Sequence, residues 1–194
     1  ELEDLTNFVK GTKGADAIDG FMFKINNDAC PIVAAREATE TYKFLGRVAC
    51  LYIRTSGSSP AEAFMDDAEN TARFAKALIA AVGTAEVEVI LDTFADSDRG
   101  YFARAGLVDR RYNPKLGSHV VKHLIGLLSG GEWVLEGDIL KGSDGKRVMA
   151  EFSGESPIPG SATDVEWIDL ETGKVHREEP PALRGPCAIS YLES

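Results

Sequence analysis

Three short apolar segments, residues 18–25, 47–53 and 87–91, alternate with helix-forming stretches at intervals of roughly 30 to 40 residues. Strands of this kind, each followed by an amphipathic helix, predict right-handed βαβ units and a parallel sheet. Pro31 opens a helix to about Leu45, with Ile32, Ala35, Ala38, Tyr42 and Leu45 on one side. A long Ala-rich helix is expected over residues 61–82, ending at Gly83, and Asn113-Pro114 introduces another over 116–128. A first helix precedes them, on the spacing of Leu2, Leu5, Phe8 and Val9. The three strand ends then share one edge of the sheet, which gathers the loops at 26–28, 54–59 and 92–99 on a common face. Loops in that position vary in sequence while the strands hold them in place, so binding and catalytic residues collect there.

Past Ser129 the pattern changes. Gly130-Gly131 interrupts the chain, and an apolar arm over 133–140 faces another over 147–152 across Ser143-Asp-Gly-Lys146, a strong hairpin signal. A second hairpin has arms at 165–169 and 174–177, beyond a Pro/Gly/Ser stretch at 156–161. Residues 1–129 are therefore expected to form the α/β part, and 130–194 a small antiparallel β unit, sandwich-like, packed against it.

With 44% hydrophobic and 27% charged residues, the composition is that of an ordinary globular protein. A net charge of −10 argues against nucleic acid, which needs a basic stripe to meet phosphates. No apolar run is long enough for a membrane span, and no signal peptide is visible. Cys30, Cys50 and Cys187 lie far apart without metal-ligand spacing, an odd number that suggests reduced thiols and leans towards the cytoplasm, with one disulfide plus a free thiol as the alternative. The compartment stays unknown, because a removed leader leaves no trace. The first residue is Glu1, so a processed chain, an excised domain or a piece of a cleaved protein is expected. No cofactor motif is present. His119 and His123 stand four apart on a helix, but the framework of a metal site is missing and a surface pair is the expected reading. Trp133 and Trp167 are expected in the core of the β unit rather than at a sugar.

The densest chemistry follows the third strand. Asp92, Asp96, Asp98 and Arg99, with Phe94 and Tyr101 among them, form a polar and aromatic loop suited to binding hydroxyl groups. Asn26 and Asp28 from the first loop, and Arg54 and Thr55 from the second, are expected on the same face. The planar fork of Arg54 matches a carboxylate, either that of a substrate such as a uronate or aldonate or that of Asp92 or Asp28 in a salt bridge.

The run Leu91-Asp-Thr-Phe-Ala-Asp-Ser-Asp-Arg-Gly-Tyr-Phe102, then Gly106-Leu-Val-Asp-Arg-Arg-Tyr-Asn-Pro-Lys115 and an apolar helix, resembles the end of the (β/α)8 glycoside hydrolases of clan A. In that family the eighth strand runs into such a loop, and a β-rich unit often follows the last helix. Tyr52-Ile-Arg-Thr-Ser-Gly57 resembles the family's seventh-strand ending, Thr-Glu-x-Gly. The resemblance covers about residues 15–130. It implies an α/β fold, the C-terminal part of a (β/α)8 TIM barrel followed by a small antiparallel β unit, and hydrolysis of a glycosidic bond by a carboxylate pair. It places Thr55 where the nucleophilic glutamate belongs, and the family's general acid lies after a fourth strand outside this chain. Asp92 and Asp96 are then the candidate catalytic carboxylates, with Asn26, Asp28, Arg54, Thr55, Phe94, Asp98, Arg99 and Tyr101 binding substrate. The implied partner is the missing N-terminal half-barrel, as another chain or a cleaved fragment, because three strands of an eight-stranded barrel leave two edges and the interior open. The alternatives are a catalytically inactive sugar-binding subunit and an open α/β ligand-binding domain.

Overall fold

The computed structural model describes residues 2–25, 29–53, 67–84, 86–91, 94–96, 105–154, 158, 161–177 and 183–192. The fold is mixed α/β, with one parallel and one antiparallel sheet. Helix α1 (Leu2–Gly11) is followed by β1 (Gly20–Ile25), α2 (Pro31–Leu45), β2 (Val48–Ile53), α3 (Asp67–Gly83), β3 (Val87–Leu91) and α4 (Leu116–Leu128). Pro31 sits in the first turn of α2, where its missing N–H costs nothing, and Gly46 closes the helix with φ +62°.

Strands β1, β2 and β3 form a parallel sheet in that order, with Ile25, Ile53 and Leu91 aligned at its C-terminal edge. Its two faces differ. Ala49, Leu51, Ile53 and Val87 pack under Ala34, Ala35 and Ala38 of α2 and Ala77 and Ala80 of α3. The alternate residues point the other way, where Met22 is 64%, Val48 48% and Ile90 41% exposed. Parallel sheets are normally covered on both faces; among the described residues, nothing covers this one.

The antiparallel sheet consists of β4 (Trp133–Glu136), β5 (Ile139–Gly142), β6 (Lys146–Gly154), β7 (Thr163–Asp169), β8 (Val175–His176) and β9 (Leu183–Leu192), in the order β4-β5-β6-β9-β7-β8. Two sequence expectations change here. The single arm expected over 133–140 is two strands, folded at Gly137, whose φ of +60° suits a glycine. The strand β9, hidden behind Gly185 and Pro186, was not foreseen, yet it pairs with both β6 and β7 in the middle of the sheet. The described strands make one sheet rather than the two layers of a sandwich.

This sheet shares a core with the helices. Ala72, Ala75 and Ile79 of α3 and Val120, Leu124 and Leu128 of α4 meet Leu140, Val148, Ile168 and Ala188. The approach is close enough that a Cβ on Gly83 would lie 2.6 Å from Leu135 Cβ and from Leu140 Cδ2. Both tryptophans are structural: Trp133 packs on the shared core and donates its indole N–H to the Leu128 carbonyl at 2.9 Å. Trp167 stacks on His176, ring centroids 4.1 Å apart, and packs against Cys187, Ile189 and Tyr191 on the sheet's other side.

Candidate functional site

The in-register strands bring the three chain exits to one edge, and the helices that follow begin there. Arg73, buried on α3, donates from Nη1 to the Ala29 carbonyl at 2.7 Å, which ties α3 to the segment leading into α2. Sequence reasoning passed over Arg73, because an arginine in an Ala-rich helix reads as solvated.

Beyond β3 the chain returns on itself. Ala95 bridges to Val108 in parallel, and Val108 bridges to Pro114. The Val108 N–H donates to the Phe94 carbonyl at 3.1 Å, and the Asp96 N–H donates to the Val108 carbonyl at 3.0 Å. Gly106 is required at this crossing, since a Cβ there would fall 2.7 Å from the Asp96 nitrogen. The carboxylate of Asp96 is engaged at both oxygens: the Gly106 N–H donates to Oδ1 at 2.8 Å and the Lys115 ammonium lies 3.5 Å from Oδ2. With its side chain 9% exposed, Asp96 pins the returning loop to the entrance of α4.

The next turn is held by Asp109. Its carboxylate accepts hydrogen bonds from the Asn113 side chain, the Asn113 N–H and the Arg111 N–H. The Asn113 side-chain bond, foremost among these, keeps the Asp109 carboxyl below the usual range. Tyr112 takes φ +63° in that turn and projects into solvent. The Ser118 hydroxyl and the Lys115 N–H both donate to the Leu107 carbonyl, completing the join to α4.

Among the residues expected in the site, Asp96 and Phe94 are described, and Phe94 is 67% exposed beside the sheet edge. Asn26, Asp28, Arg54, Thr55, Asp92, Asp98, Arg99 and Tyr101 lie outside the described residues. The uncovered sheet face adds two groups that the sequence reading left aside or gave little weight. Lys24 and Tyr52 are register partners, with Ile90 next in line, one step below the C-terminal edge. Strict alternation along β1 and β2 places them opposite α2 and α3, a signal obscured because both strands are apolar almost throughout. Among the described residues no cluster of His, Cys, Asp and Glu is arranged to hold a metal ion. No described helix is long and apolar enough to cross a membrane.

No protein-family model matches the chain, and no curated protein is similar to it in sequence. Among solved structures, the fold matches a family 39 glycoside hydrolase from the gut symbiont Bacteroides cellulosilyticus WH2, with a TM-score of 0.57 and 11% identity, over 97% of this chain and 47% of that one. It also matches a glucosidase from Croceicoccus marinus, with a TM-score of 0.54 and 14% identity, over 99% of this chain and 57% of that one. The chain thus shares its fold with parts of glycoside hydrolases and spans about half of their length.

Proposed function

We propose that this chain is the C-terminal part of a (β/α)8 barrel, residues 1–129, with a β unit at 130–194, and that the assembled protein acts on carbohydrate as a glycoside hydrolase. The observation that carries this reading is the bare face of the parallel sheet. Met22, Val48 and Ile90 leave apolar surface exposed, while Lys24, Cys50, Tyr52 and Glu88 share that face. In a barrel this face is the interior, filled by side chains from all eight strands. The occupant is the complementary set of βα units, as another chain or a segment of a longer one. The matched glycoside hydrolases support it, since each is about twice as long as this chain.

Asp92 is the carboxylate assigned to catalysis, at the end of β3. Asp96, with both oxygens engaged, is better suited to positioning that loop than to reacting with substrate. Phe94 offers an exposed ring for a sugar face. Asn26, Asp28, Thr55, Asp98, Arg99 and Tyr101 supply polar contacts, and Arg54 a fork for a carboxylated sugar. A second reading, an inactive sugar-binding subunit, is favoured by Thr55 at the position where the related enzymes carry their nucleophile.

The test uses the protein purified from its natural source, with native mass followed by a panel of neutral and uronate aryl glycosides. The expected result is a complex or longer chain that hydrolyses one of them. Asp92→Asn should lower that activity by about 10²- to 10⁴-fold with the fold intact. Arg54→Ala should weaken binding of the uronate more than of the neutral sugar. A lone folded monomer of 20.9 kDa would overturn the barrel reading. A complex that binds sugar without hydrolysing it would select the inactive subunit.

A further inference from the structure

A second polar cleft lies away from the sheet edge, where α4 faces the antiparallel sheet. It is an open depression of about 570 Å³, lined by His119, Lys122 and His123 of α4, Lys146 of β6, Glu166 of β7 and Arg177 just past β8. Residues 119, 122 and 123 stand three and four positions apart, so they form one stripe of the helix. Gly126, next along that stripe, has open space where a side chain would be and leaves room at the cleft wall.

Among the described lining residues the charges do not cancel. Glu166 is the one carboxylate among the described lining residues, and it is already committed, lying 3.1 Å from His123 Nε2 and 2.9 Å from Arg177 Nε. That pairing fixes two donors at the cleft instead of neutralising its lysines. Lys122 and Lys146 make no ion pair with a described carboxylate, in a chain whose net charge is −10. Two ammonium groups, a guanidinium and two imidazoles around one carboxylate are an arrangement that a compact anion stabilises, by accepting charge-assisted hydrogen bonds from several sides.

We propose that this cleft binds a small, multiply charged oxyanion, a phosphate or sulfate group, at a site separate from the parallel-sheet edge. The helix stripe supplies Lys122 and the histidines, and the sheet supplies Lys146 and Arg177. The proposal does not depend on the glycosidase reading, since it rests on α4 and the antiparallel sheet alone.

Calorimetric titration of the full chain with inorganic phosphate, and separately with sulfate, tests it. Saturable binding of at least one anion is expected below about 10 mM at low ionic strength. The double variant Lys122→Met/Lys146→Met should weaken it by about 10-fold or more. Lys122→Glu, a change at an exposed helix position, should do the same should the double variant fold poorly. Lys43→Met, which removes a cation paired with Glu40 elsewhere, should leave binding unchanged. Absence of saturable binding, or equal weakening by Lys43→Met and Lys122→Glu, would overturn the proposal.

Discussion

The two sheets of this protein are finished to different degrees. The antiparallel sheet packs one face against α3 and α4 and, around β9 and β7, buries Cys187, Ile189 and Tyr191 on the other, while Val134 on β4 stays exposed. Among the described residues, the parallel sheet is packed under α2 and α3, and its other face holds Met22, Val48 and Ile90 in the open. Hydrophobic burial drives both arrangements. Among the described residues, the antiparallel sheet is therefore covered more fully than the parallel one.

Large-to-small substitutions expose this difference most sharply. Leu140→Ala, at a fully buried position in the core shared by helices and sheet, should cost about 2–5 kcal/mol. Met22→Ala, on the bare face, should change the stability of the isolated chain by less than about 0.5 kcal/mol. Denaturant melts of the two variants measure both. A large loss from Met22→Ala in the isolated chain would mean that the face is already covered, and the contrast between the sheets would disappear.

Glycine positions give the next effect. Gly106→Ala drives a Cβ into the backbone of Asp96 and should destabilise by about 1–3 kcal/mol, loosening the clamp on the loop after β3. Gly126→Ala places a methyl group in open space on α4 and should stabilise by about 0.5–1 kcal/mol, because alanine restricts the unfolded chain and favours the helix. Thermal midpoints moving in opposite directions would support both assignments. A neutral Gly106→Ala would show that the crossing of Ala95, Val108 and Pro114 is not tightly built.

Much of the fold was legible because its signals are local. The bounds of α2 and α4, the parallel pairing of the first three strands and the hairpin at Asp144-Gly145 all follow from apolar period, Pro31, Pro114 and turn glycines. Central placement of β9 was not legible, because its partners lie far off in sequence and Pro186 disguises it as a loop. The turn at Gly137 was missed for the opposite reason, since apolar residues continue across it on both sides. Of the candidate site, only the charges of the loop after β3 were legible in the sequence. The engagement of Asp96 with Gly106 and Lys115 was not, because it depends on the chain folding back at Val108.

Thiol chemistry gives the smallest and most local test. Cys187 is sealed in the antiparallel unit, whereas Cys50 stands on the bare face of the parallel sheet. Partial burial first, and then the charge of Glu88 in register beside it, push the Cys50 thiol above its ordinary value. Both causes disfavour the thiolate, so the thiol form is the one compatible with the fold. The associated stability is fully present below the unfolded-state value and is lost as pH rises through the folded one. Alkylation should therefore reach Cys50 and leave Cys187 untouched in the native chain, with the Cys50 rate rising at higher pH than for a free thiol. Glu88→Gln should shift that profile to lower pH, read from iodoacetamide rates followed by peptide mass. If complementary βα units cover the bare face, as proposed, Cys50 should be as protected as Cys187 in the assembled protein. Continued labelling of Cys50 in an assembled protein would mean that the partner does not close over this face.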